Sequence, residues 1–317
     1  MSTPVFTDII HLPHSSYESQ EYTSSCWAFS VVSMMESESG RTAEGEGFSA
    51  WPLVHHKVLD QFDALTRGPK TSNDAKQVPD VRKIANGGIV STAPKLIVRH
   101  GLVPEKHIQH QMRSKKIYLW GNRFIQGFTL LAQYLPCLRG VCRYVVQTLV
   151  NELYGPLPSE ATAIEIDFSK YNVFTSFSHL PYYQNVCLDM PDNFDHDSFY
   201  NIPMDKLLQT MYSTLDQGHT FVWEGGIRRD VIYSKKRGYA DITISAEQNT
   251  DDFRAECLNN HQTTDDHMLH IVGYAQDDTG RRAFIAKDSA PVKGCYDGLI
   301  YLYEDFVRLK TIAILCH

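Results

Sequence analysis

Apolar positions fall at helical spacing through the first half of the chain and alternate with polar ones toward its end. From Cys26 to Met35 the run through Trp27, Ala28, Phe29, Val31, Val32 and Met34 is apolar nearly all round, which predicts a helix buried on every side. It ends near Gly40, and a polar loop through Gly45 and Gly47 follows. Ser49 is placed to cap a second helix with Pro52 in its first turn, where a missing N–H costs little. Val54, Val58, Phe62 and Leu65 give that helix an i, i+4 stripe that Gly68-Pro69 stops. Ala93, Leu96, Ile97 and His100 repeat the spacing and Gly101 closes it. Phe124, Ile125, Phe128 and Leu131, then Val141, Val145, Leu149 and Leu153, predict two more helices, and Asp205 to Leu215 a further one closed by Gly218.

Thr162, Ile164, Ile166 and Phe168 alternate with Glu165 and Asp167 as a half-buried strand would. His219 to Glu224 reads as a strand, and beyond about residue 245 the pattern is mostly β. Leu269 to Ala275 alternates, Asp277-Asp278-Thr279-Gly280 turns, and Ala283 to Asp288 returns. Leu299 to Tyr303 and Thr311 to Cys316 supply further strands. The pattern implies an α+β molecule in which a helical half faces a β-rich half across a cleft.

With 317 residues, 43% hydrophobic and 21% charged, the composition is that of an ordinary globular protein. Thirty-seven acidic residues against 30 basic ones give a net charge of -7 without a basic block, which argues against nucleic acid as a partner. No run approaches the roughly 20 apolar residues of a membrane span, and Met1-Ser2-Thr3-Pro4 opens no signal peptide. The expectation is a cytoplasmic chain with no membrane partner, or a periplasmic or secreted one if a signal peptide has been removed. The seven cysteines form no dense disulfide framework.

Candidate chemistry begins where the loop Thr23-Ser24-Ser25 becomes the buried helix at Cys26. A thiol at a helix N-terminus faces unpaired backbone N–H groups that favour the thiolate, although most cysteines are simply small buried hydrophobes. Gln20, six residues upstream, is placed to offer an amide N–H which, with the Cys26 N–H, would form an oxyanion hole. Together Gln20 and Ser25-Cys26-Trp27-Ala28-Phe29-Ser30 resemble the nucleophile signature of the papain-like cysteine peptidases. Thr23 stands where secreted members usually carry a structural cysteine, and Ser24 replaces a common glycine. The wording of 171–179 and of Met190-Pro-Asp-Asn193 resembles the bleomycin hydrolase and aminopeptidase C branch, especially its bacterial members.

The resemblance implies a papain-like α+β fold divided into an N-terminal extended segment (1–19) packing on the β half, a helical half (20–104), a largely helical insertion (105–204) and a mainly β half (205–317). It gives Asn86-Gly87-Gly88, otherwise a plain turn, a role: Gly87 and Gly88 form an edge that hydrogen-bonds substrate backbone. It makes His267, at the entry of the strand leading to Val272-Gly273-Tyr274, the catalytic base facing Cys26. Asp266 beside it would offer a backbone carbonyl to substrate. The third member falls on Asp288, in Asp288-Ser289-Ala290-Pro291, where relatives have Asn-Ser-Trp-Gly. A carboxylate there still accepts from the imidazole and stabilises the imidazolium more strongly than an amide. Ala290 leaves the contact that a tryptophan covers in relatives wetter or covered by another residue.

Other pairs carry less. His55 and His56 are helix neighbours that face different ways, and His267 and His270 point to opposite faces of a strand, so neither pair suits one metal ion. Cys137 and Cys142 read as structural cysteines. The expectation is a cysteine peptidase with a peptide substrate, no metal and no cofactor, aminopeptidase-like, with a homo-oligomer left open by the hexameric bleomycin hydrolases. Two alternatives stay open: a Cys-His-Asp acyl transferase of the transglutaminase kind, and an impaired homologue that binds peptides through Gly87 and Gly88.

Overall fold

The computed structural model describes residues 4–67, 84, 87–108, 110–158 and 167–317. Strand β1 (Phe6–His11) is followed by helix α1 (Cys26–Glu38), the short β2 (Phe48–Ser49), α2 (Trp51–Thr66), α3 (Thr92–His100), β3 (Val103–Pro104), α4 (Lys115–Tyr134) and α5 (Arg139–Tyr154). Then come β4 (Asn172–Thr175), β5 (Gln184–Cys187), β6 (Ser198–Asn201), α6 (Met204–Asp216), β7 (Phe221–Gly225), β8 (Val231–Ser234) and β9 (Tyr239–Ile242). The chain ends with α7 (Asp251–Asn259), β10 (His267–Asp277), β11 (Arg282–Lys287), β12 (Leu299–Tyr303), α8 (Glu304–Lys310) and β13 (Thr311–Cys316).

α1 keeps its helical form despite the β-branched pair Val31 and Val32 because every residue from Cys26 to Glu36 is buried, and packing outweighs weak propensity. It lies against β10, with α2 and α3 beside it. Trp27 and Met34 are fully enclosed, in one apolar cluster with Met268 and Ile312 of the sheet. The buried carboxyl of Glu36 is satisfied by Phe48 N–H at 2.8 Å and by the Ser15 hydroxyl.

Eleven strands form one sheet in the order β5-β6-β4-β13-β7-β10-β11-β12-β9-β8, with β1 on the far half of β10. β10 is the hub. Its first half pairs with β7, its second half with β1, and β11 runs along its other edge. Gly273 is required where β1 meets it, because a Cβ there would stand 2.0 Å from the Ile10 carbonyl oxygen. Met268 faces the α1 cluster, whereas Leu269 and Ile271 join a second cluster with Phe284, Phe306 and Trp223.

The structure corrects several element readings. α2 has Ala50 as its N-cap, and Ser49 Oγ only accepts from Trp51 N–H at 3.3 Å, because Ser49 is already committed to β2. The buried face of α5 is Cys142, Val146, Val150 and Leu153, one position on from the expected Val141 and Val145. On α4 Ile125 is buried but Phe124 is 53% exposed. Both helices carry two adjacent apolar stripes, and packing against α2 and against each other chooses between them. Within 105–204 the helices end at Tyr154, and β4, β5 and β6 extend the sheet beyond β13. α7 and α8 interrupt the β-rich end of the chain. Gly68-Pro69, Asn86 and the alternation at Thr162, Ile164, Glu165 and Ile166 lie outside the described residues. Among the described residues no helix is long and apolar enough to cross a membrane.

Candidate active site

α1 opens at Cys26 itself, with Ser25 as N-cap. The Ser25 carbonyl accepts Ala28 N–H at 2.9 Å and Phe29 N–H at 3.3 Å, so the first helical N–H groups, including that of Cys26, point out of the helix end. Thr23 Oγ1 donates to the Gln20 carbonyl at 2.5 Å, which leaves the Ser25 hydroxyl to donate to Thr23. Hydroxyls therefore tie this loop from within.

Glu21 holds the loop from the other side. Its backbone is left-handed at φ +55°, a conformation that costs a non-glycine residue about 1 kcal/mol or more. The buried carboxylate compensates by accepting from Tyr118 Oη at 2.6 Å, Arg113 N–H at 3.0 Å and His110 Nε2 at 2.9 Å. All three partners come from the segment that was expected to be an insertion. Nothing in the local pattern around Glu21 signals this.

The Gln20 side chain is fixed at both ends. Its Oε1 accepts from Ser289 Oγ at 2.7 Å, and its Nε2 donates one hydrogen to the Thr23 carbonyl at 2.7 Å. The amide has a second hydrogen, and its plane is set by Ser289, the neighbour of Asp288.

His267, at the start of β10, brings the two halves together. Its Nε2 donates to Asp288 Oδ1 at 2.9 Å, and Cys26 is near enough to raise the ring's proton affinity. With Nε2 committed to Asp288, Nδ1 is the nitrogen left for the sulfur. The three groups are nearly sealed: Cys26 is 8% exposed, His267 6% and Asp288 1%. Burial pulls the imidazole's pKa down, but Asp288 and then Cys26 outweigh it and raise it to about 10. Burial likewise pushes the Asp288 carboxyl up, and His267, Lys235 and the Ala290 N–H hold it well below the usual range.

The cover that Ala290 cannot provide comes from the β8–β9 hairpin. Tyr233 sets its ring edge-on to His267, with centroids 6.1 Å apart, and its Oη donates to Asp288 Oδ2 at 2.7 Å. Lys235 Nζ stands 3.2 Å from the same oxygen. Tyr233 and Lys235 carry no sequence signal of this role, since both lie over fifty residues before Asp288 in the chain.

Gly88 packs on the indole next to the nucleophile: a Cβ on it would meet Trp27 Cγ at 3.0 Å. A Cβ on Gly87 would lie 2.3 Å from Asp192 Oδ2. The segment is fastened to β7 by Val90 N–H donating to Glu224 Oε2 at 3.0 Å. Burial, and then Asp265, push the Glu224 carboxyl well up. Asp266 turns its side chain to Thr264 Oγ1 at 2.9 Å and Ile227 N–H at 3.3 Å. The remaining pairs bond to different partners, although the His55 and His56 rings still lie 6.1 Å apart. His270 Nδ1 bonds Ser33 Oγ at 2.9 Å, away from His267. His55 meets Gln147 Nε2 at 2.8 Å, while His56 stacks on His100. Cys137 is exposed and Cys142 buried, and all seven cysteines are free.

A buried helix carrying a cysteine, packed against a sheet carrying a histidine and its carboxylate partner, gives the chain an α+β fold of the papain-like type. PepW from Lactobacillus rhamnosis superposes on nearly the whole chain, with a TM-score of 0.75, 12% identity, and 98% of this chain and 81% of that chain covered. The proform of the ragweed pollen allergen Amb a 11 cysteine protease gives a TM-score of 0.46 at 13% identity, covering 98% of this chain and 65% of that one. Digestive procathepsin L 3 of Tenebrio molitor larval midgut gives 0.45 at 12% identity, covering 99% and 70%. By sequence the chain matches no protein-family model and no curated protein.

Proposed function

We propose that the protein is a cysteine peptidase of the bleomycin hydrolase and aminopeptidase C kind, hydrolysing peptide bonds through a thioester acyl-enzyme. The observation that carries this is the imidazole of His267, held at Nε2 by a buried carboxylate and set beside a cysteine at a helix N-terminus that raises its proton affinity. Cys26 attacks the scissile carbonyl as the thiolate, and the negative charge that develops on the carbonyl oxygen is met by the Cys26 N–H and the free hydrogen of Gln20 Nε2. His267 passes its Nδ1 proton to the leaving amine. It then takes a proton from the water that hydrolyses the thioester. Asp288 fixes the imidazole's tautomer and orientation. Gly87 and Gly88 pair with substrate backbone, joined by the Asp266 carbonyl.

Preference for a free amino terminus is supported by the carboxylates at the Gly87 end of the cleft. Asp192 presses on Gly87, and its N–H donates to Asp265 Oδ2 at 2.9 Å. Burial, then Asp192, raise the Asp265 carboxyl to about 6, so it is mostly ionised at neutral pH and available to an ammonium group. Lys57 of α2 acts on the neighbouring Asp192 and offsets part of its charge.

The test is a peptide library with blocked and free amino termini, assayed with the parent and with Cys26→Ala. The parent is expected to cleave free-amine substrates faster, and the alanine variant to lose cleavage altogether. Parent-rate cleavage by Cys26→Ala removes the peptidase reading. Amide products in excess of hydrolysis, formed in the presence of an added amine, would replace it with acyl transfer.

A further inference from the structure

An aspartate in the third position poses a physical problem that a neutral amide does not. Its full negative charge stabilises the imidazolium, and an imidazolium that holds its proton too tightly is a poor acid toward the leaving amine. The groups around Asp288 show how this chain meets it. Oδ1 accepts from His267 Nε2 at 2.9 Å and from Ala290 N–H at 2.8 Å, while Oδ2 accepts from Tyr233 Oη at 2.7 Å and faces Lys235 Nζ at 3.2 Å. The lysine is held as tightly as the carboxylate. Its Nζ also donates to the Ala290 carbonyl at 3.2 Å and lies 5.8 Å from the centre of the Tyr17 ring, whose hydroxyl bonds that same carbonyl at 2.5 Å.

The other charged or titratable groups near this point are committed elsewhere. On the same strand Lys287 turns away to Ser15 Oγ and Ser33 Oγ, each at 2.7 Å. On the N-terminal segment burial raises the Glu18 carboxyl to about 8, and the Tyr17 hydroxyl is also raised, first by burial. Lys293, 5.5 Å from the centre of the Tyr17 ring, is paired with Asp297 at 2.5 Å. Beyond His267 stands Cys26, which in turn feels the buried Glu224 of β7, whose carboxyl is raised first by burial.

We propose that Lys235 is a counter-charge that partly offsets Asp288: with the ammonium beside it, the carboxylate is a less strongly charged hydrogen-bond acceptor for His267 than a lone aspartate would be. Lys235 is thus a positioning and tuning residue that acts through Asp288. The inference rests on the reading of Cys26 and His267 as a reactive pair. It predicts opposite signs for the same substitution in two backgrounds. Asp288→Asn leaves an uncompensated ammonium beside the imidazolium, and removing that ammonium as well should restore a neutral acceptor.

The experiment compares the parent with Lys235→Met, Lys235→Arg, Asp288→Asn and the double variant Asp288→Asn/Lys235→Met. Two rates are followed against pH: alkylation of Cys26 by iodoacetamide, read by peptide mass mapping, and hydrolysis of a peptide reporter. Lys235→Met should move the alkaline limb of alkylation up by about one pH unit, and Asp288→Asn should move it down. Hydrolysis by Asp288→Asn should fall about 100-fold or more, and the double variant should recover at least about tenfold of that loss. Lys235→Arg should follow the parent. A double variant no faster than Asp288→Asn, or a limb unmoved by Lys235→Met, overturns the proposal, because a lysine that only packs would add its damage to that of the asparagine. Lys235→Gln is the second neutral variant should the methionine protein not fold. A parent that alkylates with these shifts yet cleaves no peptide keeps the charge inference and removes the peptidase reading.

Discussion

At the scale of single residues the site is a set of groups whose protonation depends on one another. The ordinary imidazole pKa is 6.5, and in the folded chain that of His267 stands at about 10. A group raised on folding contributes stability that is complete below its unfolded pKa and lost as the pH rises through the folded one. The pairing of His267 with Asp288 and Cys26 should therefore stabilise the protein fully below about pH 6.5 and disappear as pH passes about 10. The opposite limb lies at strongly acid pH, since the Asp288 carboxyl is held well below the usual range. The expected outcome is a difference in thermal midpoint between the parent and His267→Gln that is largest near pH 6 and shrinks toward pH 11. A difference that grows with pH would contradict this assignment. The residue scale is also where the sequence is silent: Ala290 leaves open whether the Asp-His contact is wet or covered by another residue, and Tyr233 covers it from fifty-five residues away.

At the scale of elements, the catalytic geometry depends on how a loop is gripped. The turn from Gln20 to Cys26 is tied internally by Thr23 and Ser25 and externally by Glu21, which reaches His110, Arg113 and Tyr118 at the entry of α4. The segment preceding the α4–α5 hairpin and the first turn of α4 thus brace the loop that carries the glutamine and the nucleophile. Glu21→Gln weakens three bonds to a buried carboxylate without changing the side chain's size. The expected cost is about 1–3 kcal/mol of stability, read by denaturant unfolding, with kcat reduced and KM little changed. An unchanged kcat would mean that the brace does not reach the site. The sequence displays α4 and α5 clearly as periodic apolar runs, but it does not say which of two adjacent stripes faces inward. That choice belongs to α2, which lies along α5.

At the scale of the whole molecule, β10 joins the parts. It carries His267 at one end, pairs with β1, β7 and β11 along its length, and packs Met268 against α1. The relative placement of Cys26 and His267 is therefore fixed by apolar packing around Trp27, which is fully buried. No covalent link shares that task, because all seven cysteines are free. Trp27→Ala should cost about 3–5 kcal/mol, whereas the thermal midpoint of the parent should be the same with and without reductant. A midpoint lowered by reductant would reveal a disulfide contribution that the free thiols exclude.

By itself the sequence showed the elements that carry the candidate site: a buried helix opening at Cys26, an alternating strand opening at His267, a returning strand ending at Asp288, and Gln20 six residues ahead of the cysteine. These are legible because helix and strand periodicity, and the residue types that carry nucleophilic chemistry, are local properties. Only the tertiary structure decided which apolar stripe is buried, what covers the Asp288 contact, what braces Glu21, and which cation stands behind the carboxylate. Those depend on residues brought together from distant parts of the chain by core packing and sheet pairing, and neither spacing nor composition records such meetings.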